Sequence, residues 1–268
     1  MNEAASIPSH APLPVCSLMG MRLARVDRED LVERIFALLA AGQGGWLVTA
    51  NLDFLRRYVR DARVRALYDA ADLRVADGAP LVWASRLQAE ALPERVAGSS
   101  LLWLLAERAA RYGCSLYLLG GTPTANEGAA RVLVERYPGL NICGRSCPAI
   151  SSPPMADEVA RLRSELVALK PHILLVALGS PKQEELIVRL RPHLPTTWMM
   201  GVGVSLSFVA GELGRAPAWM RRAGLEWMHR LAQEPGRLVR RYLVEDLPFA
   251  LRLFSAVLMA RLRARRSS

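Results

Sequence analysis

Between Val26 and Gly211, short apolar runs alternate with stretches in which apolar residues recur every three or four positions. The first such stretch is DREDLVERIFALLAAG, where Leu31, Ile35, Leu38 and Leu39 share a face and Asp27 stands at the expected N-cap. Gly44-Gly45 ends it, and GWLVTAN reads as a strand entering a loop. FLRRYVRDARVRALYDAA has the spacing of one further helix, and DLRVADGAP that of a strand running into a turn at Asp77-Gly78. SLLWLLAERAARYG is helical, CSLYLLGG a buried strand, and PTANEGAARVLVERYPG a helix with a Pro-Gly stop. NICGRS is a short strand, the SSPP run from Ser151 a loop, and MADEVARLRSELVALKP a helix. HILLVALGSPKQEELIVRLRP reads as strand, tight turn and helix, and TTWMMGVGVSLSFVAG as the last strand with a glycine-rich loop.

Strands separated by helices over this length predict an α/β fold: a Rossmann-like, largely parallel sheet with helices on both faces. No internal repeat is present. Residues 1–20 read as a loose leader, 21–211 as the α/β domain and 212–268 as a C-terminal Arg-rich helical appendage. In the last segment Trp219, Trp227, Leu231, Leu238, Tyr242, Leu243 and Phe249 interleave with arginines. The 268 residues suffice for one such domain with a sizeable core and an appended segment.

Charge changes this picture. From Glu212 onward there are twelve arginines and five acidic residues, a net +7 out of the chain's +10. Such a block reads as a solvated helix face, a nucleic-acid arm or a membrane-surface patch. The four cysteines are scattered; Cys143 and Cys147 have no second pair and no nearby His, which favours reduced thiols over a zinc site. The N-terminus lacks a charged segment followed by an apolar run, so no secretory signal is expected. No apolar run reaches the roughly 18 residues of a membrane span. The expectation is a protein made and kept on the cytoplasmic side.

In a parallel sheet, ligands sit at the carboxyl ends of the strands, which directs attention to four loops. Thr49 and Asn51 offer a hydroxyl and a carboxamide suited to sugar groups, or else to helix capping. Asp77 follows an apolar strand, where a carboxylate can serve as general base or merely form the turn before Gly78. Gly120 and Gly121 let backbone amides approach a phosphate at a helix N-terminus, without the spacing of a dinucleotide or Walker loop. Ser180, Pro181 and Gln183 fit N-cap, N1 and N3 of a capping box, which leaves Lys182 and Gln183 for ligand contact.

No HExxH, nucleophile elbow or paired His ligands occur, and no D-x-D lies between apolar strands. A sugar nucleotide held through a metal is therefore not expected. Arginine guanidinium groups suit phosphate oxygens and are the alternative source of positive charge.

Taken together, VTANLDFL, ADLRVADGAPLVW, ERVAGSSL, LYLLGG, RYPGL, LLVALGSPKQE and GRAPAWMRRAGLEWMHRLAQEPGRLVRRYL resemble the WecG/TagA/CpsF glycosyltransferases (glycosyltransferase family 26) from about Gly20 to Tyr242. The last stretch is the most specific, because RAP, GLEW, RL, EP and RRY keep their order and spacing. The resemblance implies an inverting, metal-independent transfer, with no cofactor, of a sugar from a UDP-sugar to a polyprenyl-diphosphate-linked saccharide. Donors among relatives are of N-acetylmannosamine, its uronic acid, or glucose type. It implies Asp77 as general base, Thr49 and Asn51 as polar residues of the substrate pocket, Arg95 as a pocket arginine and Gln183 as a loop glutamine. It also implies a tail that closes over the site and brings arginines to the diphosphate, from the pool Arg215, Arg221, Arg222, Arg230, Arg237 and Arg240.

The chain departs from the family pattern at Ser100, where Asp is frequent, and in GVSLSFVAG, where Ser207 replaces an Asp and Val204 a Gly. Ser207 falls near the expected nucleotide pocket. These departures motivate the alternative of a catalytically lapsed member acting as an assembly subunit. A nucleic-acid-binding protein is the other alternative, but LPFALRLFSAVLMARLRA fits a basic amphipathic helix on anionic lipid better than a base-stacking surface. The expected place is therefore the cytoplasmic face of a bacterial inner membrane, peripherally bound, with no nucleic-acid partner. A tail that docks on lipid can mask itself as a homo-oligomer in solution.

Overall fold

The computed structural model describes residues 12–266. Strands β1 (Val15–Leu18) and β2 (Met21–Ala24) form an antiparallel hairpin. There follow α1 (Arg28–Ala40), β3 (Gly45–Ala50), α2 (Leu52–Arg60), α3 (Ala62–Asp69), β4 (Leu73–Ala76), α4 (Ala79–Ser85) and α5 (Gly98–Tyr112). Then come β5 (Ser115–Gly120), α6 (Pro123–Arg136), β6 (Asn141–Ser146), α7 (Ala156–Leu169), β7 (Ile173–Ala177), α8 (Lys182–Leu190), β8 (Trp198–Gly201) and α9 (Ser205–Val209). The tail carries α10 (Ala218–Arg222), α11 (Glu226–Gln233), α12 (Pro235–Val239), a π-helical stretch (Arg240–Asp246) and α13 (Leu247–Arg266).

Six strands form one sheet in the order β4-β3-β8-β7-β5-β6, with every neighbouring pair parallel. Its central strands are buried on both faces, which is why GWLVTA, SLYLLG and ILLVA are almost continuously apolar instead of alternating. On one face Trp46, Val48, Tyr117, Leu119, Leu174, Val176 and Met199 pack against α2, α4, α7 and α8. On the other face Leu47, Val75, Leu116, Leu118, Leu175 and Met200 pack against α1, α5, α6 and α9.

This layering positions a site. Neighbouring strands β3 and β8 are followed by α2 on the first face and α9 on the second. The chain therefore leaves their carboxyl ends in opposite directions and opens a crevice between them. Strands β7 and β5, followed by α8 and α6, make a second one. The tail spans this edge: it touches the start of α5 through Arg215 and ends with Phe249, Leu253 and Val257 of α13 buried in the core of the first face.

Several expectations are corrected. The loose leader does not extend to residue 20: Cys16 and Leu18 are fully buried in β1, and the turn is made by Met19 and Gly20, both at positive φ. Residues 1–11 lie outside the described part. The single helix expected from Phe54 to Ala71 is two, because Asp61 takes extended backbone angles and its carboxylate accepts from the amides of Arg63 and Val64, capping α3. The glycine-rich loop after β8 closes into the short helix α9, which includes Ser207.

Candidate active site

Asp77 stands at the carboxyl end of β4, and its amide donates to the carbonyl of Ala50 at 2.8 Å, tying the loop to the end of β3. Its carboxylate does not cap α4, whose N-cap is Gly78 with no side-chain bond. Instead Oδ2 accepts from the amide of Gly98, the first residue of α5, at 3.4 Å. Burial pushes the Asp77 carboxyl up to about 6; Arg95 pulls it down, Glu226 pushes it up, and the Gly98 amide and Arg230 pull it down. The group is thus ionised at neutral pH yet more basic than an ordinary carboxylate, as a general base requires.

Thr49 borders Gly98, whose amide donates to Asp77. A Cβ placed on Gly98 would come within 3.0 Å of Thr49 Oγ1, so α5 starts in contact with β3. Asn51 proves to be a helix cap: its Oδ1 accepts from the amides of Asp53 and Phe54 at 3.1 and 3.2 Å. It nevertheless borders the site, since Gly78 approaches its backbone. Arg95, in the loop before α5, donates from Nη1 to Glu226 Oε2 at 2.8 Å.

The tail seats on this cluster. Gly224, at φ +73°, packs where a Cβ would lie 2.7 Å from both Ala79 and Trp83 of α4, so neither its backbone angle nor its surroundings suit another residue. Glu226 and Arg230 follow one turn apart on α11. The Arg230 guanidinium lies 5.9 Å from the ring centre of Phe208 on α9. Arg215 Nη2 donates to Ser99 Oγ at 3.1 Å and Ser100 Oγ at 2.7 Å, at the first turn of α5. The side chains of Arg221, Arg222 and Arg237 lie outside the described residues. Arg240 is mostly in solvent, 3.8 Å from Glu245.

The other predicted residues lie along the same sheet edge but further over. Gly120 and Gly121, both at positive φ, are held from below by the buried Asn126, whose Nδ2 donates to the carbonyls of Leu118 and Gly120. The helix there is capped by Thr122. Gln183 is buried: its Oε1 accepts from the Gly203 amide at 3.2 Å and its Nε2 donates to Glu184 Oε1 at 2.6 Å. It fixes the β8–α9 loop instead of completing a capping box. Ser180 does not cap either; α8 begins after Pro181, and the Ser180 hydroxyl lies 3.2 Å from that of Tyr68. Ser207 sits on α9, where its carbonyl accepts from Glu212 and Leu213.

Two features escape the sequence reading. One is Glu226, legible only as a lone acid among arginines. The other is a buried ion cluster in which Asp53 of α2 meets Arg56, Arg57 and Arg241, while Asp246 meets Arg56 at 3.1 Å and Arg241 at 3.6 Å. Two surface hollows lie elsewhere, one beside Arg131 and Arg145, the other near Gly44 and Pro195 at the amino end of the sheet. Among the described residues, no helix is long and apolar enough to cross a membrane, and no three His, Cys, Asp or Glu side chains group as metal ligands. Compared with known families, residues 16–265 match the profile described as Glycosyl transferase WecG/TagA/CpsF family.

Proposed function

The chain belongs to the WecG/TagA/CpsF glycosyltransferase family, of cell-surface polysaccharide synthesis, and we propose that it transfers a hexose-type sugar with inversion from a UDP-sugar to a polyprenyl-diphosphate-linked saccharide. The observation that carries this reading is Asp77: a carboxylate at the carboxyl edge of the sheet, raised to about 6, with Arg230 of the tail acting on it and Arg215 of the tail bonded to the first turn of the helix whose amide it accepts from. Asp77 takes the proton of the acceptor hydroxyl while that oxygen bonds to the anomeric carbon from the face opposite the leaving group. The bond from that carbon to the diphosphate breaks, and UDP departs with the electron pair.

The charge that develops on the leaving diphosphate needs cationic partners. Arg215, placed at the start of α5, and Arg230, on the Asp77 side of α11, supply them without a metal. Thr49 and Arg95 line the sugar side. Arg215 is already oriented by Ser99 and Ser100, so the serine standing where relatives carry an acid still serves the arginine.

Membrane attachment through α13 is part of the same reading. Phe249, Leu253 and Val257 face the core, whereas Leu247, Leu251, Leu258 and Leu262, on other sides of the helix, are about half exposed or more, with exposed Arg252, Arg261 and Arg263 alongside. An apolar stripe flanked by arginines fits anionic lipid on the cytoplasmic side of an inner membrane.

The test is UDP release and product formation from UDP-N-acetylmannosamine, its uronic acid and UDP-glucose, with a polyprenyl-diphosphate-linked saccharide in anionic vesicles. Transfer by the native chain and its loss in Asp77→Asn support the reading. Vesicle binding without UDP release from any of the three donors points instead to a lapsed assembly subunit. Tight, salt-sensitive RNA binding without vesicle binding points to a nucleic-acid protein.

A further inference from the structure

Resting on the reading of Asp77 as base, we propose that Glu226 of the tail is a positioning residue of the reaction: by engaging Arg95, it makes the basicity of Asp77 depend on the tail being seated. The geometry is specific. Arg95 and Glu226 come from distant parts of the chain, meet at 2.8 Å and are largely shielded from solvent, with side-chain exposures of 21% and 13%. The seating is fixed two residues earlier by Gly224 against Ala79 and Trp83, in the helix that follows Asp77.

The charged and hydrogen-bonding groups that act on Asp77 come from three places. Arg95 precedes α5, the Gly98 amide begins it, and Glu226 and Arg230 belong to α11. Without the tail, Arg95 acts on Asp77 uncompensated and makes it a weaker base. With the tail in place, Glu226 neutralises Arg95, while Arg230 arrives on the same helix face. The tail therefore brings a carboxylate as well as arginines to the site, and the carboxylate offsets the acidifying effect of the cations on the base. An enzyme so built has its base at full strength only when closed over its substrates.

The experiment titrates Asp77 in the substrate-free full-length protein, using carbon-13-labelled aspartate carboxyls and assigning the signal by its loss in Asp77→Asn. The native midpoint is expected near 6. Glu226→Gln, which keeps the shape and removes the charge, should lower it by about half a unit or more. Arg95→Gln should move it upward. Glu226→Asp should leave it near the native value. The acid limb of the kcat profile should follow the same shifts, with a several-fold lower plateau in Glu226→Gln. A midpoint unmoved in Glu226→Gln overturns the proposal whatever Arg95→Gln does, and so does one that moves in the same direction in both. If Glu226→Gln does not fold, Glu226→Ala, which also removes the charge, is titrated in its place with the same fall expected and the same unmoved midpoint overturning the proposal. Undiminished turnover in Asp77→Asn would sink the base assignment itself, a result independent of the titration.

Discussion

Arg241 of the tail places Nη2 3.2 Å from Oδ2 of Asp53, a carboxylate whose side chain has no solvent exposure, and so joins the tail to the first turn of α2. Arg56 and Arg57 bind the same carboxylate, and Arg56 continues to Glu245 at 2.7 Å and to Asp246. Burial pushes the Asp246 carboxyl up and Asp53 adds to that, while Arg241 and Arg56 pull it down.

Replacing Asp53 by Asn leaves those arginines without their shared partner. Removing one member of a buried ion cluster costs about 3–5 kcal/mol. The urea midpoint should fall accordingly, and proteolysis within 235–266 should quicken. An unchanged midpoint would mean that the tail is held by apolar packing alone.

Asp77 gives opposite signs for activity and stability. Its folded value of about 6 lies above the ordinary 3.8, so between these pH values the folded chain holds a proton that the unfolded chain has lost. Stability from this group is therefore greatest at low pH and declines as pH rises through about 6. Activity runs the other way and falls as pH drops below about 6. Asp77→Asn should lose at least about 100-fold in kcat while gaining on the order of 1–3 kcal/mol of stability at pH 7, a gain that fades below about pH 4. Thermal melts at both pH values, beside initial rates, test the pair of signs.

Arg215 meets two serine hydroxyls through one nitrogen, Nη2. If it also grips a diphosphate, Arg215→Lys loses the forked geometry while keeping the charge. The donor KM should then rise about tenfold or more, with little change in melting temperature. Equal effects on melting temperature and KM would mark it as structural.

The exposed face of α13 can be tested without touching the core. Leu251→Ser, Leu258→Ser and Leu262→Ser combined should reduce recovery on anionic vesicles about tenfold or more, since each leucine contributes about 1–2 kcal/mol of apolar burial. The melting temperature should barely move. Truncation after Leu243 is a poorer test, because it also removes Asp246, Phe249, Leu253 and Val257, which are buried.

The periodicity of the sequence determined most of the architecture. Strands buried on both faces must be apolar throughout, and amphipathic helices must repeat every three to four residues, so both are written locally. The four loops at the carboxyl ends were legible for the same reason. Local capping then overrode periodicity at Asp61, where two helices replace one, and the β1–β2 hairpin was too short to give a periodic signal. Asp77 could be singled out as a carboxylate after a strand, but its raised basicity comes from burial, opposed by Arg95 and Arg230 and reinforced by Glu226, groups that only the fold brings to it. Helix α13 shows the division plainly. Its sequence carries apolar residues on more than one side, and only packing against the first face decided that Phe249, Leu253 and Val257 go inside while Leu251, Leu258 and Leu262 stay out. Apolar surface fills whatever core lies within reach, and which core that is depends on where the rest of the chain has already put it.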